Sequence, residues 1–182
     1  MMYSLQGLAV LALSYFAIMA NCAPRLKSKR SNMVCRVEEQ LLRYMRHKFH
    51  ALSDEAQKID TDTDTRLIGR DLFQGLRGQG KCYVLKEVID FYLGNVLAPE
   101  ELHTKYSHLK EIKEFLALLI KRHMSDCNTE DRTQANHNIN LLKQKLNQLS
   151  EKGVAKVIGE LFMLLQEIGK HCSAPPTNEP GH

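Results

Sequence analysis

The chain has 182 residues, with 25 lysines and arginines against 21 acids, no tryptophan, and a formal net charge of +4. That length fits one domain with a real core. Arg25, Lys27, Lys29 and Arg30 carry the whole excess, so residues 31–182 balance at 21 bases against 21 acids, which argues against a nucleic-acid partner.

The first 22 residues are uncharged, and Leu8 to Ala20 is an apolar run broken only by Ser14. It is short for a bilayer span and too apolar to open a soluble domain. Ala20 and Cys22 are small residues at −3 and −1 of a cut before Ala23, which predicts a secretory signal peptide over 1–22. No later run approaches the length of a membrane span, so the product is expected to be secreted, extracellular and not inserted in a membrane. Residues 23–34 read as a solvated basic arm; contact with polyanions or convertase trimming at Lys27-Ser28-Lys29-Arg30 are its functional readings. Residues 35–172 form the expected domain. Residues 173–182, with three prolines and a glycine, read as a disordered tail.

Helical periodicity dominates this domain, and strand-like alternation is almost absent. Val37, Leu41, Met45, Phe49 and Leu52 predict a long first helix starting near Cys35, with Glu38 and Glu39 where a helix N-terminus favours acids. Ser53 to Thr65 reads as a polar connection. A short helix follows through Leu67, Ile68, Leu72, Phe73 and Leu76, ended by Gly75 and Gly78-Gln79-Gly80. Leu85, Val88, Ile89, Tyr92, Leu93 and Val96 mark a helix over 82–97. Pro99 stops it and opens another that buries Leu102, Leu109, Ile112, Leu116 and Leu119 and ends at Lys121-Arg122-His123. Ala135, Ile139, Leu142, Leu146 and Leu149 predict the next helix. After Gly153, Val154 to Ile168 form the broad apolar face of the last. Six striped helices, one of them short, predict an all-α bundle.

Removing Cys22 leaves Cys35, Cys82, Cys127 and Cys172, an even number with gaps too wide for a zinc or redox motif. Two disulfides stapling helix ends are expected, with three pairings open. Chemistry is sparse elsewhere. His47 and His50, or His103 and His108, lack the partners of a metal site. The glycines at 75, 78 and 80 have neither the preceding strand nor the Lys-Ser/Thr of a phosphate loop, and there is no G-x-S-x-G and no N-x-S/T sequon. No enzyme, cofactor, metal or N-glycan is expected. Two classes fit such a bundle: a signalling ligand that presents helix faces and a long loop to a receptor, or a helical lipid and membrane binder.

Three segments, 66–75 (RLIGRDLFQG), 82–88 (CYVLKEV) and 156–161 (KVIGEL), resemble the interleukin-10 family of class II cytokines, with the four cysteines in register from Cys35 to Cys172. The resemblance implies a six-helix class II cytokine bundle with Cys35 joined to Cys127 and Cys82 to Cys172. It also implies two class II receptor chains, one ligand-specific and one shared, brought together to trigger JAK–STAT signalling, with a soluble decoy receptor as a further partner. Carried over by position, the high-affinity surface is Thr63, Asp64 and Arg66 in the loop after the first helix, with Lys156 and Glu160 on the last. The second surface, on the first and fourth helices, is represented by Tyr44 and Tyr106. The chain departs from the family's last-helix pattern at Val157, usually Ala, and at Phe162, usually an acid. A basic interleukin-26-like relative is the rival, and the neutral body argues against it.

Overall fold

In the computed structural model, residues 35–129 and 132–172 are described; the expected signal peptide, basic arm and tail lie outside them. The described residues form six α-helices: α1 Glu39–Gln57, α2 Gln79–Phe91, α3 Leu102–Lys105, α4 Leu109–His123, α5 Thr133–Gln148 and α6 Gly153–Cys172. No strand forms among them, as the periodicity predicts.

The last helix is the axis of the bundle. Ala155 through Leu161 are all buried, so this part of α6 is enclosed all round. α1 lies along it with Leu42, Met45, Phe49, Leu52 and Ala56 inward. The two helices approach closely at Gly159, where an added Cβ would lie 3.6 Å from the Gln57 Cγ and 4.0 Å from the Ala56 Cβ, ordinary contact distances. Buried Ser53 bridges them: its hydroxyl donates to the Ile158 carbonyl (3.4 Å) and accepts from the Phe162 N–H (3.2 Å). Phe49 meets Phe115 of α4 edge-on at 5.9 Å, a favoured aromatic geometry. On α5, buried Asn138 donates to the carbonyls of Leu72 and Gln74, giving an interior amide the partners it requires.

Element boundaries differ from expectation in four places. α1 runs on through residues 53–57, because Ser53 and Ala56 continue its buried face despite the polar composition. The short helix expected after Leu67 is a single 3-10 turn, Arg70–Phe73, anchored by buried Leu72. The helix expected to reach Leu97 ends as α-helix at Phe91 and continues as a π turn, Tyr92–Val96, where Leu97 N–H donates to the Tyr92 carbonyl at 2.8 Å. The helix after Pro99 breaks into α3 and α4 at His108, whose φ of 58° is left-handed and cannot continue a helix.

All four expected cysteines are in disulfides, but the pairing inferred from the resemblance is corrected: Cys35 joins Cys172, and Cys82 joins Cys127. The chain ends explain the first bond. Val37 N–H donates to the Cys172 carbonyl at 2.7 Å, laying the segment before α1 beside the end of α6. The sulfurs of Cys35, Cys82 and Cys127 lie within 4.8 Å of one another. The staples thus gather the ends of α2, α4 and α6 at one pole of the bundle. Sequence spacing has no power to choose partners when the sulfurs converge so closely.

Candidate functional site

Residues 58–69, between α1 and the 3-10 turn, carry the most elaborate polar structure in the described chain. Two aspartates fold the loop on itself. Asp60 accepts the N–H of Asp62 at 3.0 Å. Asp62 accepts the N–H groups of Asp64 (3.1 Å) and Thr65 (2.7 Å) and the Thr65 hydroxyl (3.0 Å). Short acidic side chains bind nearby backbone amides in this way, which is why Asp and Thr build turns rather than helices. The Thr65 N–H holds the Asp62 carboxyl below the usual carboxylate range; burial opposes it, and the Thr65 hydroxyl, Lys156 and the Asp64 N–H add to the lowering.

The folded loop is latched to α6 by two residues one helical turn apart. Lys156 donates to the Asp62 carbonyl at 2.6 Å and lies 3.2 Å from the Asp60 carboxylate and 3.9 Å from that of Glu160. Glu160 accepts the Leu67 N–H (2.9 Å) and the Ile68 N–H (2.6 Å). Both α6 residues are only 6% exposed. They are an internal bracket, and their charges are satisfied inside the protein. Burial pushes the Glu160 carboxyl up, outweighing the Ile68 and Leu67 amides and the charges of Lys156 and Arg66 that favour its ionised form.

A group whose folded pKa is raised stabilises the fold most when protonated, and that contribution fades as pH rises through the folded value. Glu160→Gln lacks this titration. The stability of the native chain relative to Glu160→Gln should therefore increase on acidification from about pH 7 to pH 4. Urea titrations at a series of pH values check it, and a difference that is flat with pH would contradict it.

With the latch closed, Thr63, Asp64 and Arg66 face outward on the loop, all exposed. Gly69 lies beneath Arg66: a Cβ there would come within 3.1 Å of the arginine Cδ, so glycine leaves room for the Arg66 stem against the backbone. The five residues expected on this surface are thus brought together, but in two layers, three outside and two buried behind them.

The two tyrosines expected on the second surface separate. Tyr44 is 68% exposed on α1, with the Lys48 ammonium 5.2 Å from its ring centre. Lys48 also pairs with Glu111 of α4, whose carboxyl it holds below the usual range. Tyr106 is 2% exposed and belongs to the core, because the chain turns inward between α3 and α4. As a surface residue it is corrected. Periodicity leaves Asp60, Asp62, Lys48 and Glu111 unmarked. A signal for the first two was present in the charged pair Lys156 and Glu160, spaced i, i+4 within the otherwise apolar stretch 154–165 of the last helix, which requires partners somewhere.

A six-helix bundle closed by two disulfides, with its first long loop strapped across its last helix, is the architecture of a class II cytokine. The sequence model of the family described as interleukin 22, IL-10-related T-cell-derived-inducible factor, matches residues 35–172. Human interleukin-22 (Homo sapiens) is 34% identical over 141 residues, covering 76% of this chain and 78% of its own. Mouse interleukin-22b (Mus musculus) is 30% identical over 175 residues, covering 94% and 96%. Chicken interleukin-10 (Gallus gallus) is 26% identical over 136 residues, covering 71% and 75%. The chain belongs to the interleukin-22 family, a cytokine branch of the wider interleukin-10 family. The three segments of resemblance, which are most like interleukin-22, lead to the same family.

Proposed function

We propose that this chain is a secreted cytokine that brings together two class II receptor chains, a ligand-specific chain of high affinity and a shared second chain, and so triggers JAK–STAT signalling in the target cell. A soluble decoy receptor would compete for the first of these surfaces. The observation that carries the reading is the latched loop. A partner meets Thr63, Asp64 and Arg66 already ordered, so little conformational entropy remains to be lost on binding. Lys156 and Glu160 act from behind, by positioning the loop. Arginine is a frequent hot-spot residue, since its planar fork makes charge-assisted bidentate bonds. The Tyr44, Lys48 and Glu111 patch on α1 and α4 is the proposed surface for the second chain.

Arg66→Ala should weaken binding to the ligand-specific chain by about tenfold or more while helix content holds. Surface-binding titration against that ectodomain, with circular dichroism on the same samples, checks this. Unchanged affinity would remove Arg66 from the interface.

A further inference from the structure

Beside the receptor-facing loop, and sharing Arg66 with it, a groove runs between the 3-10 turn, the start of α2 and the last turns of α6. It is lined by Arg66, Arg70, Lys81 and Lys170, with Glu167 its only acid. Four bases against one acid is a strong local excess in a body whose charges otherwise balance. Three distant stretches of chain supply them, so composition does not reveal the cluster. Lys170 lies 3.6 Å from Glu167, whereas Arg66, Arg70 and Lys81 form no ion pair or side-chain hydrogen bond with another described residue. The field they create is felt by His171 on the groove wall, which is held below the usual histidine range first by burial and then by Lys81, with Lys170 adding to this and Glu167 opposing it. Phe73 and Met163 also line the groove, and the Phe73 ring is 5.5 Å from that of His171.

From this concentration of cations, three of them without an ion pair, around an apolar strip, we infer that the groove binds a sulphated glycan of the heparan type. Arginine forks match the geometry of sulphate oxygens as they do phosphate, and a row of bases suits a ligand that repeats its anionic groups along a chain. An acidic protein segment would need only one or two of these bases for each carboxylate. A sugar ring can lie flat against Phe73 and Met163 while its sulphates reach the rim. Arg66 borders both surfaces, so bound glycan would sit next to the receptor-facing loop.

The test uses residues 23–182 and a fully sulphated heparin hexasaccharide, titrated by calorimetry. Three proteins are compared: native, Arg70→Ala with Lys81→Ala, and a chain with Arg25, Lys27, Lys29 and Arg30 all changed to alanine. The groove variant should bind about tenfold more weakly, and the arm variant within about twofold of native. Binding should also raise the pKa of His171 in the native protein, read from its ring proton shifts, because sulphates would offset Lys81 and Lys170. That readout needs no variant to fold. Failure of the hexasaccharide to bind, loss of binding in the arm variant with the groove variant unaffected, or an unmoved His171 would each overturn the proposal. So would a glutamate peptide of equal charge that binds as tightly, which would make the groove a protein contact.

Discussion

Replacing Lys156 by alanine should destabilise the domain by about 3 kcal/mol, far more than a surface ion pair is worth. The side chain is enclosed, and its ammonium meets the Asp60 carboxylate, the Asp62 carbonyl and, at longer range, Glu160. Removing it deprives the Asp60 carboxylate of its paired cation and the Asp62 carbonyl of its donor, and leaves Glu160 with only the charge of Arg66; the penalty is the desolvation of those groups. Two further signatures should accompany the loss. The destabilisation should be insensitive to salt, because enclosed charges are poorly screened. Affinity for the ligand-specific receptor chain should fall as well, since the loop bearing Thr63, Asp64 and Arg66 is no longer held. Urea denaturation at low and high salt, with receptor titration at a temperature where the variant stays folded, checks both. A cost below about 1 kcal/mol with unchanged affinity would mean that the pair is in effect solvated.

Phe49→Ala should cost about 4 kcal/mol. Its ring is fully buried at the junction of α1 and α4, edge-on to Phe115. The loss combines the transfer of a large apolar side chain, a cavity that the helices cannot close without abandoning their contacts with α6, and the aromatic pair itself. The denaturation midpoint should drop while the slope with denaturant stays constant. A small change would mean that α4 moves freely against α1, contrary to a core shared by the whole bundle.

Helices such as α1 and α5 were readable because each buries one stripe, and a stripe leaves its period in the sequence; the enclosed middle of α6 was readable from its apolar run instead. Met45, Phe49 and Leu52 show this on α1, where the buried residue of the preceding turn is Leu42 and the expected Leu41 is half-buried, as do Ile139, Leu142 and Leu146 on α5. What escaped depends on contacts between distant residues. Ser53 and Ala56 look like the beginning of a loop until α6 is there to bury them. His108 adopts a left-handed backbone that no local motif announces. The cysteine partners were beyond spacing arguments because three of the sulfurs converge at one pole. The candidate site was half legible: resemblance pointed to the loop after the first helix and to the last helix, which the fold latches together. It could not tell that Lys156 and Glu160 face inward, where Asp60, the Asp62 carbonyl and two backbone amides take up their charges, nor that Tyr106 fills the core. A charged residue on a helix reads as solvated unless its partner, roughly a hundred positions away, is known.

The most direct test of the central claim is sequential binding of residues 23–182 to two immobilised class II receptor ectodomains, the interleukin-22-specific chain and the shared chain. Tight binding to the first, recruitment of the second only to the resulting complex, and loss of the first step in Arg66→Ala and Lys156→Ala is the predicted result. Binding to neither ectodomain, or equal binding of the native chain and both variants, would contradict it.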